Sequence, residues 1–332
     1  MQITGRRAMW MGVVMAGAIT AMPASAVEPF GAAVRATRDG CVNSNTVLDS
    51  HGDRHGFIIC SRNSSSGLYY VSAAGGATTW SLDRVGPSGY LLAATDDGTA
   101  AYAVYDANDG NGDSTYLVKR SRSGATSRRV LSRDVAASSA SIVARNGQWW
   151  AVWSQYTKDS GAYLCHFLFQ SRTIGGWHGK QPLHRCGHDP SLTFGSNGSP
   201  MLASGHQAYE EGGDIELSRW KSGGWTKPRK LNRKEFGRQP FLDRTGHVTR
   251  VAWFHQTENF AYDVMLVTKR DGGSWRRKHF TRQVAFDDYV QTRPPMITVS
   301  GGNVFVGWNT VKPNNKEEAH IAARDSNGTW TS

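Results

Sequence analysis

A glycine turn closed by a tryptophan returns about every 50 residues through this 332-residue chain. It ends at Trp80 in GGATTW, at Trp177 and Trp225 in GGW, at Trp275 in GGSW and at Trp330 in NGTW. The gaps are 97, 48, 50 and 55 residues. The first therefore spans two periods, and RSGATSRRVL (Arg122 to Leu131) fills the missing place without its tryptophan. Six units result. A period of this size belongs to architectures in which each unit buries its apolar face on the next.

The content of each unit points to strands. Runs such as YAVY, WWAVW, IELSRW, DVMLVTKR and VFVGW alternate or pack apolar residues over short lengths, bounded by Gly, Asn, Asp and Ser. Around a tight glycine turn, one strand runs into another in YLLAATDDGTAAYAVY, SIVARNGQWWAVW, PFLDRTGHVTRVAW and PMITVSGGNVFVGW. The unit reads as strand, tight turn, strand, polar loop, strand, tryptophan turn, strand. Four antiparallel strands per repeat are the pattern of a propeller blade. The expected fold is all-β, a six-bladed β-propeller of four-stranded antiparallel blades, with residues 27–332 as one domain. An open β-solenoid is the alternative architecture, though its units are usually shorter.

Residues 1–26 are expected to be a secretory signal peptide. Arg6 and Arg7 precede an apolar stretch from Ala8 to Met22, and Ala24-Ser25-Ala26 offers a small-residue cleavage site near Ala26. No later stretch is long and apolar enough to span a bilayer as a helix. With the leader removed, 38 − 2 = 36 basic residues face 27 acidic ones, a net charge of +9. Such a surface attracts acidic partners. An acidic polysaccharide or glycan is the expected one, bound by a monomer. Nucleic acid is the less expected partner. Cys41, Cys60, Cys165 and Cys186 make an even count in an exported chain, which favours disulfides. Of three connectivities, the local one, Cys41–Cys60 with Cys165–Cys186, is preferred.

Two segments carry a shared signature. In GHQAYEEGGD and FHQTENFAYD, His-Gln is followed by an aspartate eight positions after the histidine: His206 to Asp214 and His255 to Asp263. Each histidine is expected to end the second strand of its unit. Gln155, Gln207 and Gln256 recur at 52 and 49 residues, so the element is repeated, and Ser154 occupies the histidine's place one unit earlier. Loops after second strands and links into the next unit open on one face. The links carry GHDP, GRQP and QTRPP. That face gathers His206, His255, Glu210, Glu211 and Tyr289 as candidate catalytic groups. His188, Asp189, Arg238, Arg293, Gln207 and Gln256 are candidate substrate contacts. Separately, Asp109, Asn111 and Asp113 have the i, i+2, i+4 spacing of a calcium loop, but Arg120 stands where an EF-hand needs glutamate. Calcium is a possible cofactor, and none is required.

The tryptophan turns resemble degenerate Asp-box (BNR) repeats of sialidase-like propellers. RDSNGTW keeps the aspartate five before the tryptophan, and TKRDGGSW has it one place late. The resemblance implies fold; such boxes lie away from catalytic pockets. Arg238 and Arg293 also invite comparison with the sialidase arginine cluster, in which a planar fork grips a carboxylate at two points. No tyrosine follows Arg293, so sialidase activity itself is not expected.

These features favour a carbohydrate-active enzyme on an acidic glycan. Hydrolysis would draw two carboxylates from Glu210, Glu211, Glu258 and Asp189. Lyase chemistry would use a histidine or Tyr289 as base, with arginine neutralising a uronate. A lectin-like or cell-wall-binding propeller is the non-catalytic alternative, and a protein-interaction scaffold the third.

Overall fold

The computed structural model describes residues 41–48, 54–60, 66–74, 80–108, 110, 112–133, 135–156, 166–173, 178–207, 213–232, 236–256, 262–284, 294–311 and 317–331. The expected leader lies outside them, as do Glu210, Glu211, Glu258, Tyr289, Arg293, Asp109, Asn111 and Cys165.

The described residues form strands and turns only. In chain order the strands are β1 (Cys41–Leu48), β2 (Arg54–Cys60), β3 (Gly67–Ala73), β4 (Ser81–Gly86), β5 (Gly89–Asp96), β6 (Ala100–Asn108), β7 (Asp113–Ser121), β8 (Thr126–Ser132), β9 (Ala137–Arg145), β10 (Gln148–Tyr156), β11 (His166–Arg172), β12 (His178–Cys186), β13 (His188–Phe194), β14 (Pro200–Gln207), β15 (Gly213–Lys221), β16 (Gly224–Trp225), β17 (Arg229–Lys230), β18 (Phe236–Thr245), β19 (Val248–Gln256), β20 (Tyr262–Arg270), β21 (Arg276–Val284), β22 (Met296–Ser300), β23 (Asn303–Val311), β24 (Glu317–Arg324) and β25 (Trp330–Thr331). They pair antiparallel as meanders. Four sheets have four strands each, and a fifth has nine. The nine-stranded sheet is two sets, β13–β17 and β18–β21, whose β15 and β18 meet at the single pair Gly213↔Gly237. We label the sets blades I (β1–β4), II (β5–β8), III (β9–β12), IV (β13–β17), V (β18–β21) and VI (β22–β25).

The glycine turns sit where the repeat put them. Asn146-Gly147 joins β9 to β10, and Gly301-Gly302 joins β22 to β23, with Asn146 and all three glycines at positive φ. Left-handed backbone of this kind is what tight hairpin turns require. The tryptophan turns join third strands to fourth strands. Trp225, Trp275 and Trp330 pack on the preceding blade. The Trp225 ring lies 5.8 Å from that of Trp150, and its Nε1 donates to Gln170 Oε1 at 2.9 Å. Trp330 meets Phe280 edge-on at 4.9 Å. These three side chains are interblade packing.

The first strands of successive blades lie side by side in the order β1, β5, β9, β13, β18, β22. This arrangement, with four-stranded antiparallel sheets, is that of a β-propeller. Apolar clusters fill each seam. Tyr102 and Val104 of blade II meet Trp149, Ala151 and Trp153 of blade III. Met201, Ala203 and Ile215 of blade IV meet Val251, Trp253 and Met265 of blade V. Hydroxyls fasten the inner strands where no ladder runs between them. Ser141 Oγ accepts from Leu192 N at 2.9 Å, and Ser191 Oγ accepts from Leu242 N at 2.8 Å. Both spans are 51 residues, one period of the repeat. Asp97 adds a third tie, its Oδ2 accepting from Gly147 N at 2.7 Å.

Cys60 is disulfide-bonded, and the register of blade I sets Cys41 directly across from it. No helix among the described residues is long and apolar enough to cross a membrane.

Candidate functional site

The two His-Gln segments are one structural element written in adjacent blades. His206 pairs across the ladder with Asp214, and His255 with Asp263. The eight-residue spacing is thus the turn from second to third strand. The histidines do not share a crevice. Side chains alternate along a strand, so His206 lies on the side of Leu202, which packs on Trp150 and Val152 of blade III. His255 lies on the side of Val251 and Trp253, which pack on blade IV. Each histidine faces the blade before its own.

By the same test, the residue of blade III that matches them is Gln155, not Ser154. Gln155 follows the parity of Ala151 and Trp153, which face blade II. It is bonded there: Ser132 Oγ of blade II donates to its Oε1 at 3.1 Å, and Lys180 Nζ donates to the same oxygen at 2.7 Å. Gln155 therefore matches His206 and His255, and not Gln207 and Gln256. The β10–β11 ladder runs unbroken, so the alternation holds from Ala151 to Gln155.

The fourth strands complete each row, and sequence reasoning missed them. Lys180 joins Gln155 in blade III. Lys230 forms an ion pair with Asp214 in blade IV. His279 Nε2 lies 2.9 Å from Asp263 Oδ2 in blade V. Spacing could not reveal these partners, because bulges interrupt the ladders to the outer strands of blades III and V.

Two inner-strand ends repeat in the same way. Gly187-His188-Asp189-Pro190 and Gly237-Arg238-Gln239-Pro240 stand 50 residues apart. Asp189 has φ 47° and Gln239 φ 51°, left-handed values that cost non-glycine residues energy. Each sits in a bulge, between His188 and Ser191 or between Arg238 and Phe241. His188 Nδ1 is 2.8 Å from Asp189 Oδ2, and Asp189 N donates to Ser139 Oγ of blade III at 3.0 Å. Both side chains are partly exposed. The His188 ring rests on Gly205, where an added Cβ would come within 2.5 Å of its Cε1. Gly205→Ala is therefore expected to push His188 off Asp189, read as a shift of the His188 imidazole NMR signals with the circular dichroism spectrum unchanged. Unshifted imidazole signals would mean that the ring does not rest on Gly205.

Asp106 ends the second strand of blade II on this face and is buried. Burial pushes its carboxyl up to about 7, with the Ala137 N–H pulling the other way; its Oδ1 has no hydrogen-bond partner among the described residues. Arg238 is half-buried opposite Phe254, and Gln256 is half-buried opposite Tyr262. The Gln207 side chain lies outside the described residues. Of the calcium candidates, only Asp113 is described, and its Oδ1 accepts from Asn108 Nδ2 at 3.3 Å.

A cavity of about 470 Å³ opens at the other face, among the far ends of the inner strands. Thr95, Val143, Arg145, Thr193, Arg244 and His247 line it. Arg244 is committed to Asp271 at 2.6 Å. None of the sequence-expected site residues lines this cavity.

No protein-family model matches the chain, and no curated protein matches it. Solved structures do. A protein of unknown function from Dyadobacter fermentans DSM 18053 aligns with a TM-score of 0.52 at 12% identity, over 86% of this chain and 93% of that one. An exo-1,5-α-L-arabinanase from a bovine ruminal metagenomic library aligns with a TM-score of 0.44 at 14% identity, over 74% and 96%. An α-L-arabinofuranosidase from Lactobacillus brevis aligns with a TM-score of 0.45 at 13%, over 73% and 94%. The likeness is one of fold. It gives the Asp-box sialidase assignment no support.

Proposed function

We propose that this chain is an exported, six-bladed propeller that binds and cleaves an acidic glycan at the face where second strands end. The observation that carries this reading is the repeated, strained Gly-x-x-Pro bulge. At matching places it puts His188, with Asp189 on its Nδ1, and Arg238 on the inner strands of blades IV and V. Unfavourable backbone persists where a site requires it. Beside these residues, the ladder brings the ends of the histidine strands: His188 pairs with Gly205, next to His206, and Gly237 pairs with His255. Donors and cations so placed suit a carboxylate-bearing sugar, as does a net charge of +9 after loss of the leader (36 − 27). In this reading the cysteines pair as Cys41–Cys60 and Cys165–Cys186.

The test is chain-end release from a panel of acidic and neutral polysaccharides by the mature protein. Wild type is expected to release ends from an acidic polymer, and a His206→Ala/His255→Ala variant to lose at least tenfold in rate. Ends with ultraviolet absorbance from a new C=C bond identify a lyase, and saturated reducing ends a hydrolase. Equal rates in the two proteins discard the histidines. Binding without release replaces cleavage with a lectin function.

A further inference from the structure

We propose that His255, Asp263 and His279 bind one divalent transition-metal ion, zinc in chemical class, in the crevice between blades IV and V. They come from three successive strands of blade V, and their ligand atoms all lie within 4.8 Å of one another. His255 and Asp263 are register partners, and His279 stands two positions along, opposite Met265, on the same side of the sheet. Two ligands of one zinc, each bonded at about 2.0–2.2 Å, sit roughly 3–3.5 Å apart. The 2.9 Å between His279 Nε2 and Asp263 Oδ2 is close to that spacing. The two imidazoles meet edge to face, with ring centroids 5.7 Å apart at 73°.

Blade IV is an internal comparison. Its equivalent row is His206, Asp214 and Lys230, and the lysine ammonium pairs with the carboxylate. Blade V replaces that fixed cation with a second imidazole. Its carboxylate is also deeper: the Asp263 side chain is 7% exposed, against 28% for Asp214. Asp263 Oδ1 is buried and has no hydrogen-bond partner among the described residues. A carboxylate so placed needs a compensating cation. Two imidazoles and one carboxylate suit zinc, whereas calcium and magnesium take oxygen ligands. His279 is 40% exposed, which leaves a fourth position open to water or to a ligand oxygen. The site stands whether or not this face cleaves a glycan.

Chelator-stripped mature protein titrated calorimetrically with Zn²⁺ tests this directly. One ion per chain and a raised melting temperature are expected for wild type. His279→Lys rebuilds the blade IV row. It should keep the metal-free melting temperature while losing both the heat of binding and the zinc-induced rise. Asp263→Asn should lose zinc as well. Anomalous scattering at the zinc edge from wild-type crystals locates the ion without any variant. No binding by wild type, undiminished binding by His279→Lys, or an ion located elsewhere overturns the proposal.

Discussion

Asp106→Asn is expected to make the protein more stable at pH 8 and to change little at pH 4. Asp106 is buried, and burial holds its carboxyl at about 7, against an ordinary 3.8. The native chain keeps this proton up to about pH 7, while the unfolded chain releases it near pH 4. Between those values the native state binds more protons, so stability falls as pH rises and then levels off. A gap of about three pH units corresponds to about 4 kcal/mol. Asparagine keeps the shape and an acceptor for the Ala137 N–H, and it carries no charge to desolvate. Denaturant unfolding at pH 4, 6 and 8 reads the effect directly. Parallel pH profiles for wild type and variant would show that the carboxylate is ionised without cost.

Trp253→Ala is expected to cost about 3–5 kcal/mol. Trp253 is fully buried and lies in the cluster that joins Met201, Ala203 and Ile215 to blade V. The neighbouring backbone cannot close the gap easily. Gly237 already approaches so tightly that a Cβ there would come within 2.5 Å of Ile215 and 2.9 Å of the Trp253 ring. The indole and the glycine are shaped to one another, and removing the larger leaves a void. Urea midpoints compared at constant slope measure the loss. A loss under 1 kcal/mol would mean that blades IV and V hold together chiefly through Gly213↔Gly237 and the hydroxyl tie.

The blade plan was legible because it depends on short-range chemistry. Asn146-Gly147 and Gly301-Gly302 mark hairpins by backbone preference alone, and the tryptophan turns keep the period. The site was legible only in half. His206 to Asp214 and His255 to Asp263 are neighbours through one turn, so their spacing survives in sequence. Lys180 and His279 are not, because outer-strand register depends on bulges that no residue pattern announces, and Lys230 sits on a two-residue strand after the outer edge of blade IV splits in two. Asp106 was hidden for another reason. It sits in AAYAVYDAN, where an apolar run gives no sign that the acid remains inside.

The hydroxyl ties between inner strands have a consequence for how such a chain can change over time. Ser141 and Ser191 each hold a backbone N–H 51 residues further on. A seam of this kind asks for one small side chain at one place, not for a matched ladder. Duplicating or deleting a whole 50-residue segment therefore leaves a junction that a single serine can remake. An insertion within an inner strand would move that serine away from its partner. Such a seam fixes the inner strands and leaves the loops between strands free in length, as the gaps of 48, 50 and 55 residues show.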